Sequence, residues 1–265
     1  MAGLLTLAGC AQPGPATGYV AEEQTPAKTL AALLRAGDAT RASGDLASAV
    51  TFYRRAHSIA PDQALPLIRL GDTLASLGAA NEAAESYRAA VERDPKEADA
   101  HRGLGNALLA LHQPQLAITS FSTANSIKPD ARCFNGIGVA NDMTARHRAA
   151  QAAYQQGLQL ASSNLQLQNN LALSLMLSGD YPEAIEILNA ITSDPAATSR
   201  HRQNLAMAYG LAGNIKDAAR VARLDLEESQ VQNNLSYYLT LRSLNDSGAV
   251  AQALGINRLA PAVQE

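Results

Sequence analysis

Tryptophan is absent from this chain of 265 residues, and aromatic residues make up only 4% of it. A core built on large rings is therefore excluded. Alanine supplies much of the 47% hydrophobic share, which suits helices packed closely on small side chains. There are two cysteines, Cys10 and Cys133, too few for a disulfide framework. A bridge between them would have to join an N-terminal leader to a mid-chain helix, and none is expected. Cys133 reads instead as a small buried hydrophobe. No run of about 18 consecutive apolar residues exists, so no membrane-spanning helix is predicted. The formal net charge of -3 comes without a basic stripe, which argues against a nucleic-acid footprint.

Catalytic signatures are missing as well. There is no Walker A loop, no HExxH and no CxxC. Gly103-Leu104-Gly105 and Gly136-Ile137-Gly138 follow no predicted strand, so they do not read as dinucleotide loops. The five histidines, His57, His101, His112, His147 and His201, are scattered and read as solvent-side or groove-edge residues. The expectation is a protein with no enzymatic activity, no cofactor, no metal and no small-molecule substrate.

What the chain does contain is a repeat. Leu70-Gly71, Gly78, Ala83, Tyr87, Ala90 and Pro95 form a template. The template recurs 34 residues earlier as Ala36-Gly37, Gly44, Ala49, Tyr53, Ala56 and Pro61. It recurs 34 residues later as Leu104-Gly105, His112, Ala117, Phe121, Ala124 and Pro129. A period in this range signals a stacked-repeat architecture. Weaker copies continue through Ile137-Gly138, Ala150 and Tyr154, then Leu171-Ala172, Gly179, Ala184 and Leu188, then Leu205-Ala206, Gly213, Ala218 and Ala222. One slot thus reads Gly37, Gly71, Gly105, Gly138, Ala172, Ala206, and another reads Ala49, Ala83, Ala117, Ala150, Ala184, Ala218. Small residues in every copy predict that the two helices of a repeat cross there with room only for H or CH₃ between backbones. The Tyr/Phe slot is expected to fill the space between successive repeats. The first repeat is predicted to place a helix from Pro26-Ala27 to Ser43 and a second from Leu46 to Ile59, stopped by Pro61. The second repeat spans Ala64–Pro95 and the third Ala98–Pro129. Asn233–Leu241 reads as one more amphipathic helix, which would cap the last apolar face. From Asn245 a loosely ordered tail is expected.

Small residues at these slots, followed by Tyr/Phe and Pro, resemble the tetratricopeptide repeat. The resemblance implies an all-α, right-handed superhelical solenoid of about six helix-turn-helix repeats plus a C-terminal capping helix. The expected division is a leader and tether over 1–26, the repeats over 27–229, and a cap with tail over 230–265.

The leader carries a second signal. Met1–Cys10 reads MAGLLTLAGC. Leu7-Ala8-Gly9-Cys10 resembles the lipobox of bacterial lipoproteins, and the Pro/Gly/Thr-rich run Ala11–Thr25 suits a flexible tether. No Lys or Arg precedes the short apolar run, so this reading expects an upstream start codon. The resemblance implies lipidation at Cys10, and multiple acyl chains anchor stably at about 0.8 kcal/mol per buried CH₂. Ala11 rather than Asp after the cysteine implies sorting to the outer membrane of a Gram-negative bacterium, on its periplasmic face.

In such a solenoid the first helix of each repeat lines the concave groove. Residues three before, one after and four after the small packing residue share one face. The candidate partner-binding residues are Asp38, Arg41, Ile68, Asp72, Arg102, Asn106, Asn135, Asn169, Leu173, Gln203 and Met207, joined by the helix-start residues Arg132 and Arg200. Asn can bond both edges of an extended backbone and Arg can fork onto a carboxylate, so a protein segment is the expected ligand. Arg102 and Asn106 fill two slots of the carboxylate-clamp type of tetratricopeptide domain. Arg132 matches the clamp's other basic slots only loosely, and a clamp is not predicted.

A lipobox ahead of six such repeats resembles the pilotin-like lipoproteins of pilus and secretion systems. Arg200-His201-Arg202-Gln203-Asn204-Leu205-Ala206, Gly213-Asn214, Asp225-Leu226 and Asn233-Asn234-Leu235 resemble the TadD lipoproteins of the tight-adherence (Flp) pilus apparatus. That resemblance implies a role in placing or assembling a secretin pore. The alternative is a periplasmic adaptor that recruits cell-wall or outer-membrane assembly enzymes.

Overall fold

The computed structural model describes residues 26–244, 246 and 248–250. Cys10 and the tether, like the tail after 250, lie outside the described residues. Thirteen helices run through the described residues. The first repeat pairs α1 (Pro26–Ala42) with α2 (Leu46–Ile59), the second α3 (Ala64–Ser76) with α4 (Ala80–Arg93), and the third α5 (Ala98–Ala110) with α6 (Pro114–Ile127). The fourth pairs α7 (Ala131–Asp142) with α8 (His147–Leu160), the fifth α9 (Leu165–Ser178) with α10 (Tyr181–Thr192), and the sixth α11 (Ser199–Ala212) with α12 (Ile215–Ala222). The final helix, α13 (Glu228–Leu244), packs on α11 and α12. Each helix packs on its neighbours in the chain, and from α3 onward the first helix of each repeat also packs on the first helix of the next. This is a one-dimensional stack in which α13 buries Val231, Leu235, Tyr238 and Leu241 against the last repeat.

Local chemistry sets the helix ends. Asp45 Oδ1 accepts from the Ser48 N–H at 3.1 Å, and Asn164 Oδ1 from the Leu167 N–H at 3.0 Å, each satisfying a first-turn donor. Pro61, Pro95 and Pro129 follow α2, α4 and α6 within two residues. Between the two helices of a repeat the chain reverses through a left-handed residue. Gly44, Gly78, Gly179 and Gly213 hold it at φ +86, +77, +84 and +90°. In the third and fourth repeats the same position falls to His112 and Ala145, at φ +55 and +56°, where a side chain costs energy.

The small-residue slots act differently from the sequence expectation. The six slot alanines, Ala49, Ala83, Ala117, Ala150, Ala184 and Ala218, are fully buried. The glycines, however, make room for rings rather than for a helix backbone. A Cβ on Gly37 would lie 2.5 Å from the Tyr53 ring, on Gly71 2.8 Å from Tyr87, on Gly105 2.8 Å from Phe121, and on Gly138 2.3 Å from Tyr154. The rings also reach the next repeat, as expected. Tyr87 stands 2.2 Å from a Cβ built on Gly103, and Phe121 2.3 Å from one on Gly136. Each of these two rings is therefore clamped between two glycines of successive first helices. Where the aromatic is replaced, the glycine is too: Ala172 accompanies Leu188 and Ala206 accompanies Ala222.

Candidate functional site: an arginine-lined cavity across the first five repeats

A cavity of about 460 Å³ opens along the first helices of the repeats. Six of the sequence candidates line it: Arg41, Asp72, Arg102, Asn106, Arg132 and Asn135. Tyr87, Asn164, Gln166 and Leu167 also line it, with small residues such as Ala75, Ala107 and Ala131 between them. Gln166 occupies the helix-start slot that Arg132 and Arg200 hold in the neighbouring repeats, and that spacing could have found it.

The acidic groove residues are engaged by their own repeat. The Tyr53 hydroxyl donates to Asp38 Oδ1 at 2.7 Å, and the Tyr87 hydroxyl donates to Asp72 Oδ1 at 2.7 Å. Burial first, then these carboxylates, raise both phenols well above their ordinary range. Between repeats, Asp38 meets Arg69 at 3.6 Å and Arg41 meets Asp72 at 3.9 Å, solvent-facing pairs that contribute little to stability. The third repeat breaks the pattern, because its ring is Phe121 and its acid slot holds Asn106. The Asn106 amide has no hydrogen-bond partner among the described residues.

The arginines are steadied by neighbouring acids. Arg102 Nη2 donates to Asp99 at 2.7 Å, and Arg132 donates through Nε and Nη2 to Asp130 at 2.9 and 2.6 Å. The Arg102 hydrogen bond lowers the Asp99 carboxyl below its ordinary value. Burial opposes ionisation of Asp130, but the Arg132 contacts outweigh it. Cys133, behind this pair, is buried, and burial pushes its thiol up to about 11.

Asparagines link successive repeats. Asn170 Nδ2 donates to Asn135 Oδ1 at 2.8 Å, and Asn204 Nδ2 donates to Asn169 Oδ1 at 2.8 Å. The remaining candidates fall elsewhere. Arg200, Gln203 and Asp38 are exposed but do not line the cavity. Ile68, Asn169, Leu173 and Met207 are buried, at 7, 8, 3 and 7% exposure, and so form packing rather than an open groove wall. Their slots are those of Arg102, Asn135 and Asp72. Ile68, Leu173 and Met207 fold their apolar side chains into the packing there, whereas Arg102 in the slot of Ile68 extends its charged end to water.

One buried polar cluster was not legible beforehand. Asp142, at the end of α7, accepts from Tyr154 Oη at 3.0 Å and Ser174 Oγ at 2.8 Å, and meets His147 Nδ1 at 2.8 Å. His147 is thus a half-buried structural partner rather than a solvent-side residue. The Ser174 hydroxyl lies 2.8 Å from the Asp142 carboxylate and 3.3 Å from the His147 backbone carbonyl, with no hydrogen bond to the imidazole, so the cluster ties α7, α8 and α9 together without forming a nucleophile relay. Counting from Gly138 puts Asp142 on the groove face with Arg41, but its short side chain is buried among these partners.

A family model described as "TPR repeat" matches residues 71–111, and one described as "Tetratricopeptide repeat" matches residues 144–198. No curated protein matches the chain at a significant level. Similar solved structures include PilW, described as a widely conserved type IV pilus biogenesis factor. It has a TM-score of 0.69 and 18% identity, over 83% of this chain and 99% of that one. PilF from Pseudomonas aeruginosa has a TM-score of 0.67 and 17% identity, over 80% of this chain and 99% of that one. YrrB, described as a TPR protein with an unusual peptide-binding site, has a TM-score of 0.56 and 18% identity, over 72% and 97%. At these identities the likeness speaks for the fold. Repeat period, small-residue slots, ring wedges, helix pairing and these matches together identify the fold as a tetratricopeptide-repeat solenoid.

Proposed function

We propose that this protein is a non-enzymatic scaffold whose cavity holds a segment of a partner protein. In fuller form, it is a pilotin-like lipoprotein of the TadD kind, anchored through Cys10 to the periplasmic face of the outer membrane. There it assists assembly or placement of a tight-adherence (Flp) pilus secretin. The observation that carries the scaffold reading is the cavity itself: Arg41, Arg102, Arg132, Asn106 and Asn135 converge from different repeats on one concave space. The lipobox wording and the C-terminal motifs support the pilus reading, as does the fold likeness to PilF and PilW. Tethering would hold the cavity near the pore at high effective concentration.

Pull-down of the full-length protein from membranes tests this. Secretin should co-purify, and Cys10→Ser should release folded protein from the membrane fraction. Recovery of cell-wall or β-barrel-assembly enzymes without secretin would overturn the secretin role in favour of the adaptor alternative. Outer-membrane retention of Cys10→Ser would remove the anchor.

A further inference from the structure

The charge on the cavity wall differs from that of the chain. The protein is net -3, yet the wall carries three guanidiniums, Arg41, Arg102 and Arg132, against one carboxylate, Asp72. That carboxylate is already engaged by Tyr87 and Arg41. Asp99 and Asp130, which steady Arg102 and Arg132, do not line the cavity. Each takes only part of a guanidinium. Arg102 retains Nε and Nη1, Arg132 retains Nη1, and no hydrogen bond among the described residues occupies Arg41. The third repeat removes the one further acid that the template would have placed here, because Asn106 stands where the first two repeats have Asp38 and Asp72. Its change coincides with Phe121, which has no hydroxyl to satisfy an acid. The wall is thus rich in donors and positive where repeats three and four meet, and a ligand must supply acceptors and negative charge.

Resting on the scaffold reading above, we propose that the cavity recognises an acidic segment through carboxylate side chains spread along it. Arg102 and Arg132 are the main anchors, and Asn106 reads the backbone between them. A single terminal carboxylate engages one fork. Three guanidiniums on α1, α5 and α7, in three different repeats, call for several acids along an extended chain.

The probe is a short acetylated and amidated peptide with glutamate at alternate positions, titrated calorimetrically into the full-length protein. It is compared with its glutamine analogue and with that analogue bearing a free terminal carboxylate. The glutamate peptide should bind at least about tenfold tighter than the glutamine analogue, with the advantage shrinking as salt rises. Arg102→Gln combined with Arg132→Gln should abolish that advantage. Asn106→Asp, which restores the template acid, should reduce it without loss of helicity, and Arg148→Gln on α8 should leave it intact. Equal affinity of the glutamate and glutamine peptides, or no binding by either, overturns the proposal. A neutral peptide with a free terminus that matches the glutamate peptide overturns the side-chain source in favour of a terminal carboxylate. Capture of an acid-free secretin segment that is insensitive to Arg102→Gln would remove this inference while leaving the scaffold reading in place.

Discussion

Replacing Gly105 by Ala tests how the solenoid is packed. In an exposed helix the change gains about 1 kcal/mol, because Gly loses more backbone entropy than Ala. Here the new Cβ would lie 2.8 Å from three carbons of the Phe121 ring. The ring is fully buried and has no room to retreat, since a Cβ on Gly136 would also lie 2.3–2.7 Å from it. Overpacking of this kind costs about 1–3 kcal/mol, enough to cancel or reverse the propensity gain. Phe121→Leu alone should destabilise by about 1–2 kcal/mol through the space it leaves. The two together recreate the Ala172–Leu188 pairing of the fifth repeat. The double variant should therefore be more stable than the sum of the singles, with a coupling of about 1–2 kcal/mol. Urea unfolding followed by far-UV circular dichroism gives the four free energies, with the repeat array fitted as a stack rather than as two states. Additive effects, or a stabilised Gly105→Ala, would refute the ring-clamp account.

Other perturbations follow from the same geometry. Ala145→Gly and His112→Gly should each stabilise by about 1 kcal/mol, since both positions are left-handed; thermal melts would read this as a rise in Tm. Asp142→Asn should cost about 2 kcal/mol or more by degrading two buried hydrogen bonds and a half-buried one, with hydrogen exchange accelerating first in α7 to α9. The C-terminal cap should loosen in acid. Arg223 and then Gln232 hold Glu228 down to about 2 from an ordinary 4.5, and Arg202 lowers Asp225. A lowered carboxylate contributes stability that is intact above its ordinary value and lost as pH falls toward its folded one. Exchange protection in α13 should therefore decline between about pH 4.5 and about pH 2, and Arg223→Gln should flatten that decline.

Most of the architecture could be read from spacing. The glycine and alanine slots, the Tyr/Phe slot and the prolines place α2 at Leu46–Ile59 from sequence alone, because each residue type answers one local demand. Even the exchange of Gly–aromatic for Ala–Leu and Ala–Ala pairs is visible in the chain, although its cause, a ring clamped by two glycines, is not. The site was only partly legible. Periodicity found Arg102, Asn106, Arg132 and Asn135 but treated Ile68, Leu173 and Met207 as equivalents. A helical wheel gives the direction of a Cβ, not whether the side chain folds onto the next helix or extends into water. Asp142 holds the slot of Arg41, four residues after the packing glycine, and the same wheel put it in the groove; the short acid instead turns inward to His147, Tyr154 and Ser174.

The central claim is that the concave cavity grips a partner segment, and site-specific photo-crosslinking tests it most directly. A photoreactive amino acid is placed at Asn106 in the cavity, or at Arg148 on α8, in cells assembling the pilus apparatus. The account predicts a secretin adduct from position 106 and none from position 148. Adducts from position 148 with none from position 106 would contradict it.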